Sequence, residues 1–297
     1  MNEALRKICS GIAQERARPL LFLKLDFIDY DLLLKVQRVL KGKKFPALDV
    51  ILITPGGNPH AAYSIIKVIR NHSEKVSIIV PLDAKSAGTL VCLGADELIL
   101  SEVSELGPLD IQVPEHEAGD SRKHISALNG FKALEQIQLH AIQTLDVTMK
   151  MIFSRSGMKL SESTHLASEF CGQTSGTLYS QLDPKRIGEY ARALDIGRQY
   201  AMLVLTRMMK WGTENATATV QKLVLGYPSH DFVIDYEETL ELGLPSVLPD
   251  DSITDSVEDL REQIIKYNVS SVDLIEPESP SNSLPNENPK GKSKKAE

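Results

Sequence analysis

Between residues 20 and 100 the sequence alternates continuous apolar runs with segments of helical periodicity. Leu20–Leu25, Val50–Thr54, Val76–Val80 and Leu98–Leu100 read as strands, and Tyr30–Leu40, Ala61–Ile69 and Ala87–Leu93 as the helices between them. A strand that is apolar on both faces must be covered on both faces. Strands of this kind joined by helices form a parallel sheet with helices on each side. The predicted fold class is therefore α/β. At 297 residues the chain is long enough to bury a large core around such a sheet.

The second half has a different rhythm. Leu134, Ile137, Ala141, Leu145 and Ile152 make one face of a helix over 131–153, and a second long helix starts at Pro184 and runs to about Trp211. Asp235 with Glu238 reads as a capping pair opening a short helix that Gly243 ends. At the start, Leu5, Ile8, Cys9 and Ile12 give an N-terminal helix (1–19) one apolar stripe. That stripe either packs on the body or lies on a membrane surface or a partner. The main domain is expected over 20–250, a C-terminal helix over 251–275, and a disordered tail over 276–297, which has four prolines, no aromatic and one leucine.

Composition removes several functions. The net charge of −7 argues against a nucleic-acid binder. Three scattered cysteines, Cys9, Cys92 and Cys171, suit neither a disulfide framework nor a cysteine zinc site, and a cytoplasmic location is expected. No apolar run reaches the ~18 residues of a membrane span, and residues 1–12 lack the apolar centre expected of a signal peptide. There is no GxxxxGK[ST] phosphate loop, so an ATP-independent activity is expected, and no cofactor or metal is implied.

Two loops stand out. Thr54-Pro55-Gly56-Gly57 ends one strand, and Ser86-Ala87-Gly88 opens a helix after the next. Both fall at carboxyl ends of neighbouring parallel strands, where open α/β folds bind ligands. Paired glycines allow close backbone approach and leave N–H groups free, and a serine opening a helix meets the positive end of its dipole. Ser86 Oγ could attack a carbonyl while the N–H groups of Gly57 and Ala87 hold the oxyanion. The plainer account makes Ser86 an N-cap and the glycines a turn.

TPGG, then 29 positions from Gly57 to Ser86, then KSAGT, ADELIL and LGPLD resemble the serine dehydrogenase proteinase family. That family is similar to signal peptide peptidase A, to the Clp proteolytic subunit and, more distantly, to the crotonase superfamily. The resemblance runs from about Leu20 to Leu248. It implies a Clp/crotonase-type spiral and serine peptidase chemistry, with Ser86 as nucleophile and Gly57 and Ala87 as oxyanion donors. It also implies that Gly56 and Gly57 pair with an extended peptide substrate.

The general base departs from the Clp pattern. The loop after ADELIL, Ser104 to Asp110, has no histidine, whereas Pro228-Ser229-His230-Asp231 supplies one where the Clp subunit has its aspartate. Asp110 would then orient His230, and His230 would take the proton from Ser86, since triads are set by geometry rather than chain order. Signal peptide peptidase A uses a lysine base, for which Lys132 and Lys123 are the alternatives. Lys132 falls off its helix's apolar face and reads as solvated. His60 could line the pocket but reads better as a capping or surface residue, while His140 and His165 read as partly buried helix residues. Competing readings are a non-catalytic scaffold on the same fold and a crotonase-like enzyme acting on acyl-CoA thioesters. The helices at 128–155 and 184–212 are too long and apolar for this sheet to cover alone, so a homo-oligomer is expected.

Overall fold

The computed structural model describes residues 1–109, 112–114, 124–267 and 270–277. The elements run α1 (Glu3–Glu15), β1 (Leu20–Lys24), α2 (Tyr30–Leu40), β2 (Phe45–Ile53), α3 (Pro59–His72), β3 (Ser73–Val80), β4 (Asp83–Ala84), α4 (Ala87–Cys92) and β5 (Glu97–Leu100). They continue with β6 (Glu105–Leu106), β7 (Gln112–Pro114), β8 (His124–Ser126), α5 (Ala127–Ser156), α6 (Leu160–Tyr179), α7 (Pro184–Leu203), a π-turn over Val204–Met208 and α8 (Thr213–Leu225). The last are α9 (Tyr236–Glu241), β9 (Ser246–Val247), α10 (Thr254–Lys266) and β10 (Ser271–Ile275).

The main sheet has the order β10-β1-β2-β3-β5-β9 and is parallel except for β10. Strands β1, β2, β3 and β5 step across it in chain order, which winds the chain in one direction, with α2, α3 and α4 in the connections. The inner strands carry buried apolar runs over 20–23, 50–53, 78–80 and 98–100, as a sheet covered on both faces requires. One cluster, with Leu21, Val50, Ile65, Val76 and Leu98, packs beneath α2, α3 and α4. The other, with Phe22, Ile51, Ile79 and Ile99, packs beneath α1 and α10.

The N-terminal helix uses its stripe internally. Leu5, Cys9, Ile12 and Ala13 are buried against Val257, Leu260 and Ile264 of α10. The stripe thus packs on the body of the protein, the first of the two readings. Among the described residues no helix is long and apolar enough to cross a membrane. The expected C-terminal helix is also shorter. It ends at Lys266, and Ser271–Ile275 turns back as an edge strand antiparallel to β1. Residues 278–297 of the expected tail lie outside the described residues.

Charge locks the central strands at the level where β1 and β5 begin. Asp49 of β2, Ser77 of β3 and Glu97 of β5 are register neighbours. Arg16, just past α1, reaches Asp49 at 2.5 Å and Glu97 at 2.7 Å, and Arg18 reaches Asp49 at 3.4 Å. Asp49 is fully buried. Asp49→Ala removes one of the two carboxylates that Arg16 holds and leaves it Glu97, so a urea titration should show a loss of about 1–3 kcal/mol.

Glu97 adds a pH dependence. Burial alone would push its carboxyl up, but the hydrogen bond from Ser77 and the pairing with Arg16 outweigh this and hold it below the usual range. A carboxyl lowered on folding contributes stability above its unfolded pKa, about 4.3, and loses it as the pH falls through the folded value. Acid titration of wild type and Glu97→Gln should therefore diverge above that range and converge below it.

Candidate active site

Thr54 organises the loop after β2. Its Oγ1 accepts the Gly56 N–H at 3.1 Å, and its backbone pairs with β4: Thr54 N–H donates to the Asp83 carbonyl at 2.9 Å and Lys85 N–H to the Thr54 carbonyl at 3.0 Å. This pairing carries Ser86 alongside Gly56, where a Cβ on the glycine would lie 3.0 Å from the Ser86 Cβ.

On its other side the loop pairs with Ile28. Ile28 N–H donates to the Gly56 carbonyl and Asn58 N–H to the Ile28 carbonyl, each at 2.8 Å. The ladder brackets Gly57, so its own N–H is turned away from Ile28. Gly57 has φ +148°, and a Cβ there would meet Ile28 N at 2.4 Å and Ile28 O at 2.5 Å. Here glycine is required by both conformation and space.

Ser86 has φ +50° and ψ −112° and makes no side-chain cap to α4. Ser86 thus stands at the N-cap position without a capping bond from its hydroxyl. A non-glycine residue in this region costs on the order of 1–3 kcal/mol and persists only where the surroundings impose it. Among the described residues neither Ser86 Oγ nor the N–H groups of Gly57 and Ala87 has a hydrogen-bond partner. Because α4 has only six residues, its dipole is small, and any oxyanion stabilisation rests on the free N–H groups themselves.

Ser86, Ala87, Gly56, Gly57 and His230 line one cleft of about 370 Å³. The loop carrying His230 is clamped at both ends. Tyr227 stacks on Phe232 at 4.8 Å and donates to Glu238 Oε1 at 2.8 Å, and Leu106 exchanges both backbone bonds with Ile234. Burial, and then the Glu238 hydrogen bond, holds the Tyr227 phenol above its ordinary range. Asp235 caps α9 through Glu238 N–H at 2.9 Å, and Gly243 follows that helix at φ +74°, as the sequence indicates.

Thr89 braces the remaining wall. It donates to the Ala84 and Gly107 carbonyls and accepts the Gly107 N–H. Leu109 N–H bonds the Leu223 carbonyl at 2.8 Å, and Leu109 lines the cleft. Asp110 and Lys123 lie outside the described residues. Lys132 is exposed and lines a different cavity, between α5, α7 and α8. His60 accepts or donates at Tyr200 Oη (2.7 Å) instead of lining the cleft, Lys85 pairs with Glu105 at 2.7 Å, and Cys92 is buried in the core. His140 and His165 are exposed rather than partly buried. Sequence reasoning missed the cleft walls Phe27, Leu90, Leu109 and Gly197. Of these only Phe27, an aromatic directly after the carboxyl end of β1, carried a readable signal.

Residues 19–155 match the family of ClpP-like SDH-type serine proteinases. The match includes Gly57, Ser86 and Lys132 and stops short of His230. The match spans less than half of the chain. Two uncharacterized proteins of Methanocaldococcus jannaschii are 28% and 24% identical to the chain, each over 197 residues, covering 66% of it and 52% and 51% of themselves. The chain thus spans about half the length of these relatives. A ClpP1 mutant from Listeria monocytogenes superposes with a TM-score of 0.38 at 10% identity, over 83% of this chain and 99% of its own. The ClpP protease catalytic domain from Plasmodium falciparum gives 0.25 at 10%, over 32% and 57%.

Proposed function

We propose that this chain is a serine endopeptidase that works through an acyl-enzyme on Ser86 and needs no nucleotide. The observation that carries the reading is a serine at positive φ that has no hydroxyl partner among the described residues, in one cleft with two N–H groups likewise unpartnered among them and a histidine. The substrate peptide lies extended against Gly56-Gly57. Ser86 Oγ attacks the scissile carbonyl carbon as His230 takes the hydroxyl proton. The Gly57 and Ala87 N–H groups hold the oxyanion, which is worth about 3 kcal/mol per donor. The C–N bond then breaks, the proton passes from the imidazole to the leaving amine, and water releases the acyl group by the same steps. Asp110, one residue beyond the cleft-lining Leu109, is the orienting carboxylate in this reading. A cytoplasmic location fits three free cysteines.

The base is tested by comparing His230→Ala with Lys132→Ala. Loss of hydrolysis by ~10²–10⁴-fold in the first, with near wild-type rates in the second, is expected. Full activity in His230→Ala with loss in Lys132→Ala would overturn the histidine and install the lysine.

A further inference from the structure

Gly57 and its N–H sit on the least constrained backbone of the cleft. Gly56 and Gly57 have φ of +120° and +148° and no side chain through which packing could hold them. An N–H group stabilises an oxyanion well only when its place is set before the reaction. The ladder to Ile28 sets it on one side. The second restraint comes through Asn58 and the first turn of α3, into which Gly57 leads directly.

That turn is tied down twice. Asn58 Oδ1 accepts the His60 N–H at 2.9 Å and the Ala61 N–H at 3.1 Å, which fixes the helix start to the residue after Gly57. The His60 imidazole then reaches across to α7, where its Nδ1 lies 2.7 Å from Tyr200 Oη. Tyr200 stands one turn along α7 from Gly197, which lines the cleft. Its ring meets His60 edge-on, with centroids 5.3 Å apart, and stacks on Tyr63 of α3 at 4.6 Å. Tyr63 follows His60 by one turn, so both grip Tyr200 from the same face of α3. Burial, and then Tyr30 and Tyr63, hold the Tyr200 phenol above its usual range, so it stays a hydroxyl. A hydroxyl both donates and accepts, and the bond to His60 therefore forms with either tautomer of the imidazole. To the packing of the two helices it adds a fixed distance and direction.

We infer that Tyr200 and His60 are positioning residues for the reaction at Ser86: they clamp the first turn of α3 to α7 and so hold the Gly57 N–H where the oxyanion forms. This role rests on the peptidase reading above, and it places control of kcat on a residue of α7 that bonds the oxyanion loop only through His60. The test is steady-state peptide hydrolysis by the full chain, with thermal melts and the rate of fluorophosphonate labelling at Ser86 measured alongside. Tyr200→Phe keeps the ring and its stack and loses only Oη. It should lower kcat about ten- to a hundredfold with KM within about twofold of wild type. His60→Ala should do the same, and the double variant should be no slower than either single, because the two residues act as one unit. His60→Asn returns a polar atom near the place of Nδ1 and should recover most of the rate. Labelling at Ser86 should slow in parallel, since the phosphoryl oxygen enters the same N–H groups, and it decides the matter if the peptide offered is not cleaved. A residue that only packs would lower the melting temperature and leave the rate per folded molecule unchanged. Unchanged rates in Tyr200→Phe, a loss confined to KM, or single losses that add in the double variant would overturn the clamp and leave the chemistry of Ser86 standing. Wild type that neither cleaves peptides nor takes the fluorophosphonate on Ser86 would overturn both.

Discussion

Ser86→Ala should abolish peptide hydrolysis, by at least about 10⁴-fold in kcat, with no loss of stability. Nothing among the described residues bonds the Ser86 hydroxyl, so its removal breaks no contact. A purely structural serine would behave in the opposite way, losing stability while the molecules that stay folded keep their hydrolysis. Ser86→Gly sharpens the contrast. Glycine accepts φ +50° without strain, so this variant should be equally inactive yet gain about 1 kcal/mol in a thermal melt. An inactive but more stable protein is the signature of strain held for function.

Gly57→Ala should be damaged in both respects. The new Cβ would sit 2.4 Å from Ile28 N and 2.5 Å from Ile28 O, backbone atoms fixed by the ladder to Gly56 and Asn58. Crowding and a φ of +148° together should cost about 3 kcal/mol or more. The strand ends must part to relieve the clash, which displaces the Gly57 N–H from the cleft. Hydrolysis should therefore fall by about 10²-fold or more in whatever fraction stays folded. Denaturant titration and the rate per folded molecule separate the two effects.

These two positions were also the most legible in the sequence. Gly56-Gly57 and Ser86 follow strands whose apolar runs leave no choice of face, so their place at the carboxyl ends followed directly. The strain at Ser86 was not legible, because no local residue pattern demands a positive φ for serine there. It arises from the pairing of Thr54 with Asp83 and Lys85, a tertiary fact. The cleft walls Leu90, Leu109 and Gly197 were invisible for a similar reason. They carry no reactive group, and only the fold brings them to the serine.

Helix α6 escaped detection because its seam is built from Ser163, Ala167 and Ser175. Periodicity finds large apolar residues facing inward, and here they face outward. Strand β10 was hidden inside an expected helix. Val272 and Leu274 alternate too briefly to reveal a strand, and their pairing with β1 is set by a distant part of the chain. The N-terminal stripe was legible as a stripe, but its partner was not, since α10 lies more than two hundred residues away.

The central claim is that Ser86 is a nucleophile, and covalent capture tests it most directly. The full chain is treated with a fluorophosphonate, digested, and the adduct located by mass spectrometry. The expected result is a single phosphonylated peptide bearing the adduct on Ser86, absent from Ser86→Ala and from protein unfolded before treatment. An adduct on another serine, or no adduct on protein that cleaves peptides, would contradict the account.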